Sequence, residues 1–107
     1  TAIQFKGIRL IKKEVDLDAK SMKDISFSLK NEKKLIVLLA SRVSGRVILT
    51  LMISNDLVEK EYNANKMINI LAEHIEGSGG GQPFYATAGG KNTKGLVSVF
   101  KNIDELL

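Results

Sequence analysis

Two apolar segments near the middle of the chain constrain its fold more than any other feature. Residues 35–40 read Leu-Ile-Val-Leu-Leu-Ala and residues 47–53 read Val-Ile-Leu-Thr-Leu-Met-Ile, without the alternation of a strand that has one face in water. A short polar segment with a Ser44-Gly45 turn signal separates them, so we expect a β-hairpin. Strands that are apolar on both faces need helices above and below the sheet. The hairpin is therefore expected to supply the two central strands of a covered sheet.

The segments around this hairpin alternate between strand and helix patterns. Ile3 and Phe5 alternate with polar residues, and Ile8 and Leu10 resume the alternation after Gly7 breaks its phase, which predicts one strand with a bulge or bend at Gly7. Helical spacing of apolar residues recurs over 19–29, 64–75 and 96–107, and 84–88 is a short strand candidate. The order β-α-β-β-α-β-α predicts an α/β fold, with a single small mixed β-sheet and packed helices. One globular domain over residues 1–107 accounts for the whole pattern.

Short polar residues and glycines mark the ends of these elements. Asp16 or Asp18 can cap the first helix and Asn63 the second, because a side-chain oxygen accepts N–H groups left free in the first turn. Gly77 is expected to end the second helix as a left-handed residue. Residues 89–92, Gly-Gly-Lys-Asn, are expected to form a later turn.

Composition removes several classes of function. The chain has no Cys and one His, which excludes disulfide scaffolds, thiolate zinc sites and sites built on two His. No signal peptide or long apolar stretch is present, so no membrane partner is expected. The acidic residues show no spacing typical of acid–base catalysis, and the serines lack a nucleophile motif. We expect no catalytic residue, metal site or cofactor in this chain. Because it enters a strand pattern directly after Thr1, we interpret it as a fragment of a longer protein.

Glycine is concentrated late in the sequence. Seven of the nine glycines lie between Gly77 and Gly95. A glycine loop can bring backbone N–H groups against a phosphate or ribose. This tract is neither a P-loop nor a dinucleotide fingerprint, since it lacks Gly-Lys-Ser/Thr and leads from a helix into a strand. The alternative is a tight turn between helix and strand, and both interpretations remain open.

Aromatic and basic residues are the other candidates for binding. Phe84 and Tyr85 can stack on a base, but in a strand they would point to opposite faces, so at most one is expected to be exposed. The net charge of +4 is carried by residues 1–34, which hold nine Lys or Arg and five Asp or Glu. A basic patch around the first helix and hairpin would comprise Lys20, Lys23, Lys30, Lys33, Lys34, Arg42 and Arg46. The alternative is an ordinary Lys-rich exterior.

The glycine tract carries a resemblance to a known family. Residues 79–91, Gly-Gly-Gly-Gln-Pro-Phe-Tyr-Ala-Thr-Ala-Gly-Gly-Lys, resemble the closing motif of bacterial alanyl-tRNA synthetases. That motif has a glycine triplet, a polar residue and Pro, followed by Ala and Gly-Gly. Segments 15–19, 56–58 and 63–64 resemble the same family in the same order, so the similarity covers nearly the whole chain.

The resemblance implies the globular part of the C-terminal domain, which is homologous to the accessory domain of Asp-His-His phosphoesterases. It implies a module without catalytic activity that binds the elbow of tRNA(Ala). This module would help the aminoacylation and editing domains of the same cytoplasmic chain to cooperate. The parent would be an alanine–tRNA ligase, whose ATP, Mg and Zn belong to those other domains. Some members of the family dimerise, so a homodimer is a candidate assembly.

The resemblance also nominates residues for RNA binding. They are Gly79, Gly80, Gly81 and Gln82 through backbone and amide groups, Phe84 or Tyr85 through stacking, Lys91 and Asn92 through phosphate or ribose, and Arg42, Arg46 or Lys66 through charge. Gln82 stands where several phosphoesterase relatives have His and where many synthetases have a basic residue. Two alternatives remain, a substrate-binding accessory domain of an oligonucleotide phosphoesterase of the Asp-His-His family and a dimerisation module.

Overall fold

The computed structural model describes residues 2–5 and 7–107, with the backbone alone over 2–5. Within these ranges it has six strands and four α-helices. The strands are β1 (Ala2–Phe5), β2 (Ile8–Glu14), β3 (Leu35–Val43), β4 (Arg46–Ile53), β5 (Gly77–Gly81) and β6 (Tyr85–Gly90). The helices are α1 (Ala19–Ser28), α2 (Asn55–Val58), α3 (Ala64–Ala72) and α4 (Leu96–Glu105). A short 3₁₀ turn at Glu73–Ile75 follows α3, and another at Thr93–Gly95 precedes α4.

The strands form one mixed sheet in the order β1-β2-β3-β4-β6-β5. Strands β2 and β3 are parallel and are joined across α1, whereas every other neighbouring pair is antiparallel. The β3–β4 hairpin turns at Ser44 and Gly45, which both have positive φ, at 51° and 78°. This is the backbone that a two-residue hairpin turn requires. The predicted fold class and the predicted central hairpin are confirmed.

Helices cover both faces of the central strands, as their continuous apolar sequences predict. Alternate residues of β3 and β4 contribute Leu38 and Leu51 to the larger core, which the apolar sides of α3 and α4 complete. Their neighbours Val37 and Met52 pack with Met22 of α1 on the other face. Both sides of the sheet are therefore excluded from water near its centre. No helix in the described part of the chain is long and apolar enough to cross a membrane.

The first strand pattern is divided into two strands. The sequence predicts one strand with a bulge or bend at Gly7, but β1 and β2 pair in an antiparallel hairpin with Phe5 opposite Ile8. Gly7 has a φ of 80°, and this left-handed backbone reverses the chain rather than bending it. The break in the alternation at Gly7 marks this point in the sequence, but it does not distinguish a bend from a reversal.

The glycine tract is a strand, not a loop. It forms β5 at the edge of the sheet, with Gly79 opposite Ala88. The left-handed position after α3 and its 3₁₀ turn is taken by Glu76, with φ 52°, rather than by Gly77 as predicted. Gly89 and Gly90, expected in a turn, complete β6. Pairing across the sheet decides these positions, and glycine, which has no side chain, gives no sign of that pairing in the sequence.

The predicted helix caps are confirmed at two positions. The Asp18 side chain accepts a hydrogen bond from the Ser21 N–H at 2.7 Å, and the Asn63 side chain accepts one from the Lys66 N–H at 3.1 Å. Each satisfies an N–H that the first helical turn leaves free.

Candidate nucleic-acid interface

Three positions of β5 require glycine, because the backbone there lies too close to β6 to leave room for a Cβ. A Cβ at Gly77, Gly79 or Gly81 would lie 2.6 Å from an atom of the neighbouring strand, nearer than any real Cβ contact. At Gly80 the nearest atom to such a Cβ is Asn65 Oδ1, at 3.4 Å. Packing against β6 therefore explains glycine at three positions of this strand, not the tight turn expected from the sequence, and Gly80 is free of that constraint.

The outer edge of β5 exposes backbone groups. Gln82 and Tyr85 exchange backbone hydrogen bonds at 2.7 and 3.3 Å, which fixes the alternation of the β5–β6 ladder. The N–H and C=O groups of Gly77, Gly79 and Gly81 consequently point away from β6. The Gly81 N–H donates to Asn65 Oδ1 at 3.0 Å. The Gly79 N–H faces outward at the open edge.

Asn65 is a site residue that sequence reasoning missed. It lies in the first turn of α3, two residues after the Asn63 cap, and its side chain reaches across to β5. Only the tertiary packing of α3 beside β5 brings these groups together. A polar Asn next to a cap is too common a pattern to signal such a contact.

One face of the sheet is left uncovered beyond α1. Helix α1 packs over β3, β4 and the Tyr85 end of β6, but not over the rest of β6 or β5. We call the uncovered surface the open face and define it by Arg46, Ser78, Gly80, Thr87 and Gly89. Arg46 Nη2 lies 3.8 Å from the point where a Cβ on Gly89 would be. The open face is thus a flat strip of small residues with a guanidinium at one end.

An aromatic cluster lies at the other end of this strip. The Phe27 ring of α1 contacts Tyr85 edge-on, with centroids 4.9 Å apart and planes at 88°, and Phe84 at 6.1 Å and 51°. Phe84 precedes β6 and lies in the turn, so the expectation that these rings point to opposite faces is wrong. Both are half-buried against Phe27, which sequence reasoning also missed.

The surroundings of the Tyr85 phenol disfavour its ionisation. Burial raises the pKa of this hydroxyl above its usual value of 10, and the nearby Asp24 carboxylate raises it further. Near neutral pH the ring therefore presents an uncharged surface and a hydroxyl that can donate or accept a hydrogen bond.

The remaining nominated residues are distributed around the molecule. Lys91 is exposed directly after β6, at the same end of the sheet as Arg46, since Gly90 pairs with Val47. Asn92 accepts from the Lys94 N–H at 3.2 Å and donates to the His74 carbonyl at 3.3 Å, so its amide already supports the chain reversal before α4. Gln82 is exposed at the β5–β6 turn.

Two nominated cations lie away from the open face. Arg42 is paired with Val47 and points to the face opposite Arg46, where its Nε lies 3.1 Å from Glu14 Oε2. Lys66 is in a groove beside α3 that it shares with Pro83. The structure brings Arg46 to the glycine strands and leaves Arg42 and Lys66 elsewhere.

Comparison with known proteins shows which family shares this sequence. Residues 7–107 match the DHHA1 domain family. The chain belongs to that family. This DHHA1 domain is 40% identical to the alanine–tRNA ligase of Christiangramia forsetii and 41% identical to that of Porphyromonas gingivalis, each over 94% of its length. It spans about 12% of the length of these relatives. The resemblance to alanyl-tRNA synthetases is therefore confirmed.

Solved structures show the same fold. The C-Ala domain of Aquifex aeolicus alanyl-tRNA synthetase superimposes with a TM-score of 0.93 at 22% identity, over 100% of the DHHA1 domain and 97% of that chain. A DHH domain protein, described as a member of a family of ribosomal proteins, matches with a TM-score of 0.57 at 16% identity, over 96% of this chain and 27% of that one. Both establish the fold.

Proposed function

We propose that this DHHA1 domain is the tRNA-binding accessory module of an alanine–tRNA ligase. The supporting observation is about 40% identity to such ligases over 94% of the chain. In this proposal the domain binds the elbow of tRNA(Ala) and helps aminoacylation and editing to act on one tRNA. ATP, Mg and Zn serve the other domains of the parent, which works in the cytoplasm.

The open face has the properties that such a role needs. Its small residues allow an RNA backbone to approach closely, and Arg46 supplies a charge suited to phosphate. Lys91 adds a second exposed cation next to the strand end. Structured RNA is read largely through shape, phosphate and 2′-hydroxyl contacts, which a flat backbone-rich strip can make.

The single His has a structural role in this domain. His74 Nε2 lies 2.9 Å from Asn102 Oδ1, and its backbone carbonyl accepts from Asn92. The ring thus helps to join the turn after α3 to α4. Across the residues that the structure describes, no three His, Asp or Glu side chains converge as ligands of one metal.

The proposal is tested by comparing two RNAs of equal length, a folded tRNA and an unstructured strand. We expect the tRNA to bind at least about tenfold more tightly, with an affinity that falls as salt rises. Equal affinities would mean that elbow recognition is wrong. Preference for short single strands would instead favour the phosphoesterase alternative. Sedimentation at high concentration separately tests the homodimer.

A further inference from the structure

Two lysines stand over the aromatic cluster at the end of the open face. Lys23 Nζ lies 5.4 Å and Lys30 Nζ 5.7 Å from the centroid of the Phe27 ring. With Phe84 and Tyr85 they form a surface that we call the aromatic–lysine cluster. We infer that this cluster binds an unpaired nucleotide, with its base against Phe84 or Tyr85 and adjacent phosphates at Lys23 and Lys30. The inference rests on the proposed function, which supplies the RNA.

The rings are organised before any ligand arrives. Phe27 holds both partners at fixed angles of 51° and 88°, and all three rings are half-buried. Each ring therefore retains exposed surface while losing little freedom on binding, since packing already restricts it. A base that stacks on such a ring gains attraction that depends little on its identity.

The two ammonium groups are available for phosphate. Lys23 precedes Phe27 by one helical turn, and Lys30 follows it just beyond the end of α1. Neither forms an ion pair with a carboxylate in the described part of the chain, and the nearby Asp24 is paired with Lys20 at 3.2 Å. An exposed cation over a ring is held weakly, so a phosphate can attract it without large cost.

A nucleotide fits this combination better than an acidic peptide does. A carboxylate chain would satisfy the lysines but would leave the exposed ring surfaces of Phe84 and Tyr85 without a flat partner. A nucleotide carries a planar base and an anionic phosphate within one unit. The cluster offers a partner for each, an aromatic ring for the base and a lysine ammonium for the phosphate. An unpaired base is required, since a base inside a helix has no free face.

Tyrosine fluorescence reports the contact directly. The chain has two Tyr and no Trp, so Tyr62→Phe leaves Tyr85 as the only fluorescent side chain of that kind. In this background we expect added tRNA to quench the Tyr85 emission at saturation. Loss of quenching in Phe84→Leu together with weaker binding would assign the base to both rings, whereas retained quenching would assign it to Tyr85.

The lysines are tested by a double variant and its matched control. Lys23→Gln with Lys30→Gln should weaken tRNA binding about tenfold and reduce the salt slope by between one and two. Lys13→Gln with Lys101→Gln, which removes two lysines from β2 and α4, should have less than about a twofold effect, because both lie away from the cluster. All four side chains are at the surface, and unchanged thermal midpoints verify folding.

The outcomes separate this inference from the function on which it rests. Failure of the unmodified domain to bind tRNA would overturn both. Normal tRNA binding by the unmodified domain, with no quenching of Tyr85 and no loss in the Lys23/Lys30 variant, would overturn the cluster alone. Competition by oligoglutamate as strong as by RNA of equal charge would also overturn it, since the ligand would then be an acidic peptide.

Discussion

The side-chain oxygen of Asn65 accepts a hydrogen bond from the backbone N–H of Gly81 at 3.0 Å. This contact joins the first turn of α3 to the free edge of β5. Because an edge strand otherwise presents unpaired N–H groups to solvent, Asn65 occupies one end of that edge and leaves the Gly79 position open. The glycine strand is thereby fixed in place without being covered.

Removal of this hydrogen bond should loosen β5. We expect Asn65→Ala to lower the free energy of unfolding by about 1 kcal/mol, the usual value for one such bond. The Gly81 amide should also exchange its hydrogen faster with solvent. Asn69→Ala is the matched control, since Asn69 Nδ2 donates to the Asn65 carbonyl within the same helix, at 2.8 Å. Urea unfolding and amide exchange measure both effects, and an unchanged Gly81 exchange rate would contradict the assignment.

Neighbouring glycines of β5 should respond differently to the same substitution. Gly79→Ala places a Cβ 2.6 Å from Ala88 Cβ, so we expect a loss of roughly 2 kcal/mol or more through displacement of β5 from β6. Gly80→Ala meets only Asn65 Oδ1 at 3.4 Å and should change stability by less than about 0.5 kcal/mol. Thermal unfolding of both variants tests this contrast, and equal losses would show that the tract's packing is described wrongly.

Asp56 makes stability depend on pH in the acidic range. Burial acts to raise the pKa of this carboxyl, but hydrogen bonds from the Ser54 hydroxyl at 2.6 Å and the Lys34 N–H at 2.9 Å prevail and lower it below its usual value of 3.8. A folded-state pKa below the unfolded one stabilises the protein above the unfolded pKa. That stability is lost as pH falls through the folded pKa.

An Asp56→Asn variant isolates this contribution. It should be less stable than the unmodified domain by about 1–3 kcal/mol near pH 7, since the charged acceptor of the Lys34 N–H is lost. The difference should shrink as the pH falls below the usual carboxyl value of 3.8 and the native carboxylate takes up a proton. Urea unfolding near neutral pH and below that carboxyl value measures it, with the exposed Glu59→Gln as control. A difference that does not depend on pH would contradict the role of the charge.

The two arginines of the β3–β4 hairpin should contribute unequally to RNA binding. Arg46→Gln is expected to weaken tRNA affinity by about fivefold and to reduce the salt slope by about one, because a phosphate contact at the open face is lost. Arg42→Gln should have a smaller effect, since Arg42 faces the opposite side and is paired with Glu14. Lys91→Ala should behave like Arg46→Gln. A larger effect from Arg42 would place the RNA on the other face.

The sequence predicts the centre of this fold better than its edge. Strands β3 and β4 are evident because a doubly covered strand must be apolar on both faces, and the Asp18 and Asn63 caps follow from local chemistry. Strand β5 has no such signal, since three of its glycines are required by the close approach of β6. The same limit applies to the site. The motif locates Gly80 and Tyr85, but Phe27 and Asn65 join them only through tertiary packing.

The most direct test of the account is a map of the amide resonances that shift when tRNA is added to the isotopically labelled domain. The account predicts the largest shifts at Arg46, Ser78, Gly80, Thr87 and Gly89, which define the open face. Smaller shifts are expected in α1 around Phe27. Shifts concentrated instead on the exposed side of α3 and α4, with the open face unchanged, would contradict the assignment of this surface to RNA.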